Sequence, residues 1–133
     1  MDYYAGIDRV DHTCPYKEKL GENLGWEKKS SGPPPPSKAI PTSINGWYEE
    51  IKDYDFEDPS KSTDITGHFT QLLWKSSERV GMATAPSPLT NITYVAALYD
   101  PPGNIAVKSE DDAKKYKLYL KNVLKPVESK GTK

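Results

Sequence analysis

A chain of 133 residues with 35% hydrophobic content is long enough for one domain with a modest core and hardly long enough for two. The formal net charge is -1, and the basic residues are scattered except in the last third of the chain, which excludes the basic surface of a typical nucleic-acid-binding protein. No apolar run approaches the roughly 20 residues needed to span a bilayer, and residues 1–5 lack a signal-peptide pattern.

The cysteine content bears on the compartment. Cys14 is the single cysteine, so an intramolecular disulfide framework is excluded and a reducing, intracellular environment is favoured. Secretion is the alternative, because residues 91–93 (Asn-Ile-Thr) form a valid glycosylation sequon.

The first third of the chain is rich in glycine and proline. His12 lies in a polar, aromatic stretch in which Pro15 prevents a continuous helix. Gly21 and Gly25 bracket Glu22 and predict tight backbone geometry around it. Residues 28–41, with four consecutive prolines, predict an extended polyproline II loop.

The next stretch has the spacing of an amphipathic helix. Thr42 or Ser43 can cap a helix that runs to about Tyr54. Glu50 falls at the edge of its apolar stripe, whereas Glu49 points towards water, so Glu50 is the acid with the position of a site residue.

A short second helix is predicted from about Gly67, with Asp64 and Thr66 as candidate N-caps. At 100° per residue His68 lies on the opposite side from Phe69, so His68 can face a cleft while Phe69 anchors the core. The alternative for His68 is a core histidine bonded to a carbonyl group.

Two strands, residues 80–85 and 92–99, predict an antiparallel hairpin whose second strand is apolar on both faces. Helices should therefore cover both faces of the sheet. A last helix should begin near Ser109, with an apolar stripe of Tyr116, Leu120 and Val123. We expect all three tryptophans to pack in the core: Trp26, Trp47 and Trp74.

Four motifs in this order resemble the CAP superfamily of cysteine-rich secretory, antigen 5 and pathogenesis-related 1 proteins. They are Gly21-Glu22-Asn23-Leu24, Trp47-Tyr48-x-Glu50, Gly67-His68-Phe69-Thr70-Gln71-x-x-Trp74-Lys75 and Tyr99-x-Pro101-x-Gly103-Asn104. Without disulfide cysteines, the chain is most similar to the Golgi-associated plant pathogenesis-related branch, which implies a Golgi or membrane association.

The resemblance implies an α/β fold, a three-layer α-β-α sandwich with a central antiparallel sheet. We expect residues 1–126 to form this CAP domain, truncated at its N-terminus, and residues 127–133 to form a disordered tail. Family members begin with a long helix that residues 1–10 are too short to supply. One face of the sheet should then expose apolar area, which a homodimer would cover.

The resemblance also implies a cleft with two histidines and two glutamates, here His12, Glu22, Glu50 and His68, supported by Asn23 and Gln71. Two imidazoles, His12 and His68, leave a divalent metal such as zinc half coordinated, and carboxylates can complete its shell or hold a bound water. No motif supplies a serine, threonine or cysteine nucleophile beside these residues. We therefore expect the four candidates to form a binding site and not a catalytic site. The alternative is a metal-dependent hydrolase or protease with Glu22 or Glu50 as general base.

For partners, the resemblance implies lipid or sterol binding and interaction with other proteins. The loop at residues 56–64 lacks the glycine-phenylalanine pair that the family carries there, which weakens the expectation for sterol. An anionic membrane surface is a further candidate, because a local excess of lysine marks the last helix: Lys114, Lys115, Lys117, Lys121 and Lys125.

Overall fold

The computed structural model describes residues 20–62 and 65–127, which form a three-stranded sheet with helices packed against it. No helix in this part of the chain combines the length and the apolar character needed to cross a membrane. The elements in chain order are β1 (Gly21–Lys28), α1 (Pro36–Glu49), 3-10 turns at Glu50–Asp53 and Pro59–Lys61, α2 (Gly67–Leu73), β2 (Arg79–Ser87), β3 (Ile92–Asp100), α3 (Asp112–Lys115) and α4 (Lys117–Asn122).

The sheet is antiparallel with the order β1-β3-β2, which confirms the predicted hairpin of β2 and β3. β3 lies in the centre, and residues 93–97 are all buried. Side chains of a strand alternate between the two faces, so burial of five consecutive residues means that both faces are covered. This confirms the expected place of β3 inside the sheet and the α/β class.

Two apolar clusters hold the helices in place. Under α1, Ala39 and Trp47 pack on Val95, Ala97 and Tyr99 of β3. The Trp47 indole N–H also donates to the Leu24 carbonyl at 3.0 Å, which ties α1 to β1. The second cluster joins the residue after the first 3-10 turn, α2 and the C-terminal helices: Tyr54, Phe69, Trp74, Tyr119 and Val123.

The sequence predicted tight backbone geometry around Glu22, but β1 is a regular eight-residue strand at these glycines. Their role is close packing. A Cβ atom on Gly25 would lie 2.6 Å from the Ser43 hydroxyl oxygen of α1, and one on Gly21 would overlap the Gln71 side chain of α2. Both helices can approach β1 because these positions carry no side chain.

The prediction of an extended loop over residues 28–41 was wrong at its C-terminal end, since α1 begins at Pro36 rather than at Thr42 or Ser43. Pro36 occupies the first helical turn, where a missing N–H costs no hydrogen bond and the fixed φ suits the helix. Pro34 is buried, and its carbonyl accepts a hydrogen bond from the Thr93 hydroxyl of β3. Pro41 lies inside the helix.

Two predictions about burial also fail. Trp26 is 60% exposed, and Leu120 is exposed while its neighbour Tyr119 takes the core position. On the sheet face opposite α1, Leu24 and Tyr94 are buried, whereas Trp26, opposite Tyr94 in the register, is exposed. Burial at these positions depends on the tertiary arrangement, which periodicity within one element does not encode.

Candidate functional site

A cleft of roughly 430 Å³ lies where the N-terminus of α2 meets β1 and the end of α1. It brings together three of the four charged or titratable residues that the sequence singled out. The fourth, His12, lies outside the described residues. The lining residues are Glu22, Asn23, Glu50, Ile65, Gly67, His68 and Asn104.

Glu50 is the central connection of the cleft. One carboxylate oxygen, Oε2, lies 2.8 Å from Nδ1 of His68, and the other, Oε1, accepts the backbone N–H of Phe69 at 3.0 Å. Glu50 follows α1 directly and begins the 3-10 turn that brings it over the start of α2. It therefore orients the imidazole and satisfies one of the free N–H groups of the helix that carries it.

This arrangement corrects the predicted capping of α2. Thr66 is the N-cap residue, but its side chain makes no capping hydrogen bond; its hydroxyl donates to the Ser62 carbonyl instead. Asp64, the other candidate, lies outside the described residues. The capping oxygen comes from Glu50, a residue remote in sequence, where the helix N-terminus favours negative charge.

The His68 ring is held on two sides. A carboxylate can only accept, so the proton of the ring lies on Nδ1, and Nε2 is the nitrogen left for a ligand. The indole of Trp47 stacks on the imidazole with the ring centroids 6.1 Å apart and the planes 11° apart. The imidazole side chain remains 36% exposed, against 21% for that of Glu50, so solutes can reach the ring from the cleft.

Asn23 fixes the backbone at the same point. Its amide Nδ2 donates to the His68 carbonyl at 2.9 Å and to the Tyr99 hydroxyl at 3.3 Å. Burial raises the pKa of Tyr99, and the hydrogen bond from Asn23 opposes that rise. Asn23 thus connects β1, β3 and α2 beneath the cleft.

Gln71 does not line the cleft. Its Oε1 accepts the Gly103 N–H at 2.8 Å, and its Nε2 donates to the Ser77 hydroxyl at 3.0 Å. Gln71 is buried and anchors the loop after β3 against α2. Its contribution to the site is indirect, because that loop carries Asn104.

Asn104 is a cleft residue to which the sequence analysis assigned no role. Its Nδ2 donates to the Gly67 carbonyl at 2.8 Å, and its Oδ1 accepts from the Thr70 hydroxyl at 2.6 Å. The residue has a φ of 55°, a left-handed conformation that asparagine tolerates better than most residues. The only sequence signal for this residue was its place after Pro-Pro-Gly. Its hydrogen-bond partners on α2 are distant in sequence, so a local pattern does not predict them.

The metal-ligand set is incomplete among the residues described. Within residues 20–62 and 65–127, no group of three His, Cys, Asp or Glu side chains is arranged to hold a metal ion. His68 with a carboxylate on its Nδ1 has the form of an oriented metal ligand. His12, the second imidazole predicted for this site, lies outside these residues.

Residues 5–99 match the family model described as CAP, the cysteine-rich secretory protein family. The chain belongs to the CAP family. This confirms the resemblance drawn from the four motifs.

Individual relatives agree with this assignment. Human Golgi-associated plant pathogenesis-related protein 1 is 36% identical over 87 residues, which cover 65% of this chain and 51% of that protein. This CAP chain thus spans about half the length of that relative.

Solved structures of the family confirm the fold. A structure of BmVAL-1 superposes with a TM-score of 0.62 at 21% identity, covering 77% of this chain and 54% of that one. A crystal structure described as NaASP2 with Zn2+ gives a TM-score of 0.60 at 24% identity, covering 85% of this chain and 60% of that one.

Proposed function

We propose that this CAP chain is a non-enzymatic binding module whose cleft holds one divalent cation through His68 and His12. The observation that carries the proposal is the double contact of Glu50 with Nδ1 of His68 and the N–H of Phe69. A histidine whose Nδ1–H is bound by a carboxylate presents Nε2 in a fixed direction, as metal-ligating histidines commonly do.

The donor set favours zinc among the divalent cations. Imidazole nitrogen is a ligand that Zn²⁺ prefers, and nearby carboxylates can complete the shell or hold a water bound to the metal. In this proposal His12 supplies the second imidazole, and Glu22, which lines the cleft, supplies a carboxylate. The NaASP2 structure with Zn2+ is a family precedent for the presence of that metal.

A metal-dependent hydrolase is the alternative for the same residues. A bound metal would supply an activated water, and the chain would have to supply a general base. Both oxygens of Glu50 already accept hydrogen bonds, which suits a positioning role better than proton abstraction. Glu22 would then be the base, and a Glu22→Gln variant separates the alternatives, since it should abolish hydrolysis without abolishing metal binding.

We further propose that the module associates with lipid, with the C-terminal region as the contact to an anionic membrane. Exposed apolar side chains lie among its lysines: Leu120, Leu124 and Val127. Apolar groups beside basic ones favour adsorption to anionic lipid, although Lys125 also pairs with Glu57 at 2.7 Å. Co-sedimentation at low salt should be greater with phosphatidylserine vesicles than with neutral vesicles; equal binding would exclude this role.

For sterol, direct binding of a labelled sterol is the corresponding assay.

Calorimetric zinc titration tests the cation site. Wild type should bind one equivalent, and the double variant His12→Ala, His68→Ala should not. Glu49→Gln is the matched control, because Glu49 neighbours Glu50 in sequence but pairs with Lys52 at the surface. Equal zinc affinity in wild type and the double variant would rule the site out.

A further inference from the structure

Strand β2 is an outer strand of the sheet. Its nine residues pair with β3 in one continuous register, from Arg79 opposite Asp100 to Ser87 opposite Ile92. No strand within residues 20–62 or 65–127 pairs with its other edge, and residues 79–83 are exposed. An outer strand presents unpaired backbone N–H and C=O groups, which another extended strand can bind.

The middle of this strand lacks the features that usually prevent strand addition. Between Val80 and Ala85 there is no lysine, no proline and no interruption of the register. The neighbouring cation, Arg79, is already paired with Asp100. Proteins commonly protect outer strands with charge, proline or a bulge, so an unprotected edge indicates a pairing surface.

Exposed apolar side chains mark the same strand. Val80 is 58% exposed and Met82 is 36% exposed. Their partners in the register, Tyr99 and Ala97, lie in the core under α1. Helix α1 covers this face of the sheet over β1 and β3. The same face continues onto β2, where its apolar side chains are exposed.

We propose that β2 pairs antiparallel with β2 of a second copy of this chain, with Met82 at the twofold axis. Pro86 has no N–H to donate, so pairing can use residues 79–85. That run is symmetric about Met82. It places Met82 opposite its own counterpart and Val80 opposite Thr84 of the partner subunit, with no like charges facing each other.

The pairing joins the two three-stranded sheets into one of six strands. Directly opposite residues of an antiparallel pair share a face of the sheet, so the exposed Val80 and Met82 side chains of both copies come together. One strand pair forms a small interface, and small interfaces are characteristic of weak association. The dimer should therefore dissociate on dilution. It requires neither the cation nor the cleft, so it stands or falls separately from the proposed function.

Sedimentation of the full chain in the presence of chelator tests the association. Wild type should show a mass that rises from monomer to dimer with concentration. Met82→Lys places two like charges at the twofold axis and should remain monomeric. Leu89→Lys adds the same charge at a hairpin position that is 92% exposed and should dimerise like wild type. A wild type that stays monomeric, or a Met82→Lys variant that dimerises normally, would overturn the proposal.

Disulfide cross-linking tests the register without depending on a charged variant. In a Cys14→Ser background, oxidised Met82→Cys should form a covalent dimer, because opposite residues lie about 4.5–5.5 Å apart at Cα, within disulfide range. Val80→Cys should cross-link much less, since its opposite residue is Thr84. Equal cross-linking of the two variants, or none in Met82→Cys, would contradict pairing centred on Met82.

Discussion

The carboxylate of Glu50 contacts both the ring of His68, at 2.8 Å, and the backbone N–H of Phe69, at 3.0 Å. One acid thus fixes the direction of the imidazole and the start of the helix that carries it. This double contact therefore helps to fix the position of His68 in the cleft.

Glu50→Gln should weaken zinc binding about 10–100-fold, the usual effect of losing the partner that orients a metal ligand. It should also destabilise the fold by about 0.3–1 kcal/mol, since glutamine can still accept the Phe69 N–H but lacks the negative charge that the helix N-terminus favours. Calorimetry and thermal unfolding measure the two effects. Glu49→Gln should change neither by a comparable amount, and equal effects of the two variants would remove Glu50 from the site.

Trp74→Ala and His68→Ala should differ strongly in stability when chelator is present. Trp74 is buried and packs edge-on against Tyr119, with ring centroids 5.0 Å apart, so its loss should cost about 3–5 kcal/mol. His68→Ala should cost about 1 kcal/mol or less, because its ring is partly exposed. Thermal unfolding measures both. If His68→Ala unfolded as readily as Trp74→Ala, His68 would be a structural core residue.

Asn104 offers a way to separate backbone conformation from side-chain contacts. Asn104→Gly should lose the hydrogen bonds to Gly67 and Thr70 but tolerate the φ of 55°. Asn104→Ala should lose the same bonds and cost about 1 kcal/mol more, because alanine is strained in the left-handed region. Denaturant unfolding of the two variants gives the difference. Equal stability would mean that the conformation at residue 104 contributes little.

Alkaline unfolding should depend on two buried tyrosines. Burial raises the pKa of Tyr54 and of Tyr119 from 10.0 to about 12. The folded state therefore resists ionisation that the unfolded state undergoes, so the stability present below pH 10 should fall as the pH rises towards 12. The loss should be on the order of 2 kcal/mol per tyrosine.

Tyr54→Phe tests this account directly. The Tyr54 hydroxyl is buried without a hydrogen-bond partner among the described residues, so its removal should be neutral or stabilising at pH 7. The variant should also lose less stability than wild type between pH 10 and 12. Tyr48→Phe is the control, because Tyr48 is exposed. Identical pH profiles for Tyr54→Phe and wild type would show that Tyr54 ionises freely in the fold.

Local patterns predicted the parts of the fold that local physics determines. The β2 and β3 strands and the start of α2 at Gly67 follow from β-branched runs, turn residues and helical periodicity within single segments. The start of α1 at Pro36 did not, because four prolines favour an extended chain. Just before the helix, the Pro34 carbonyl accepts a hydrogen bond from the hydroxyl of Thr93, a residue far along the chain.

The site shows the same division. The helical spacing placed Glu50 at the edge of its stripe and His68 on the side opposite Phe69, and both line the cleft. The capping of α2 by Glu50 and the contacts of Asn104 join distant segments, so no short pattern encodes them. Trp26 was wrongly predicted to pack in the core, because the exposure of a side chain also depends on contacts between distant segments.

The nitrogen NMR signals of the His68 ring test the central claim most directly. Because the Glu50 carboxylate accepts, the contact at 2.8 Å requires the ring proton on Nδ1 and leaves Nε2 for the cation. On addition of one equivalent of zinc, the Nε2 signal should shift strongly and the Nδ1 signal should keep its protonated character. No response of Nε2 to zinc, or a response at Nδ1 instead, would contradict a cation site built on the Glu50–His68 pair.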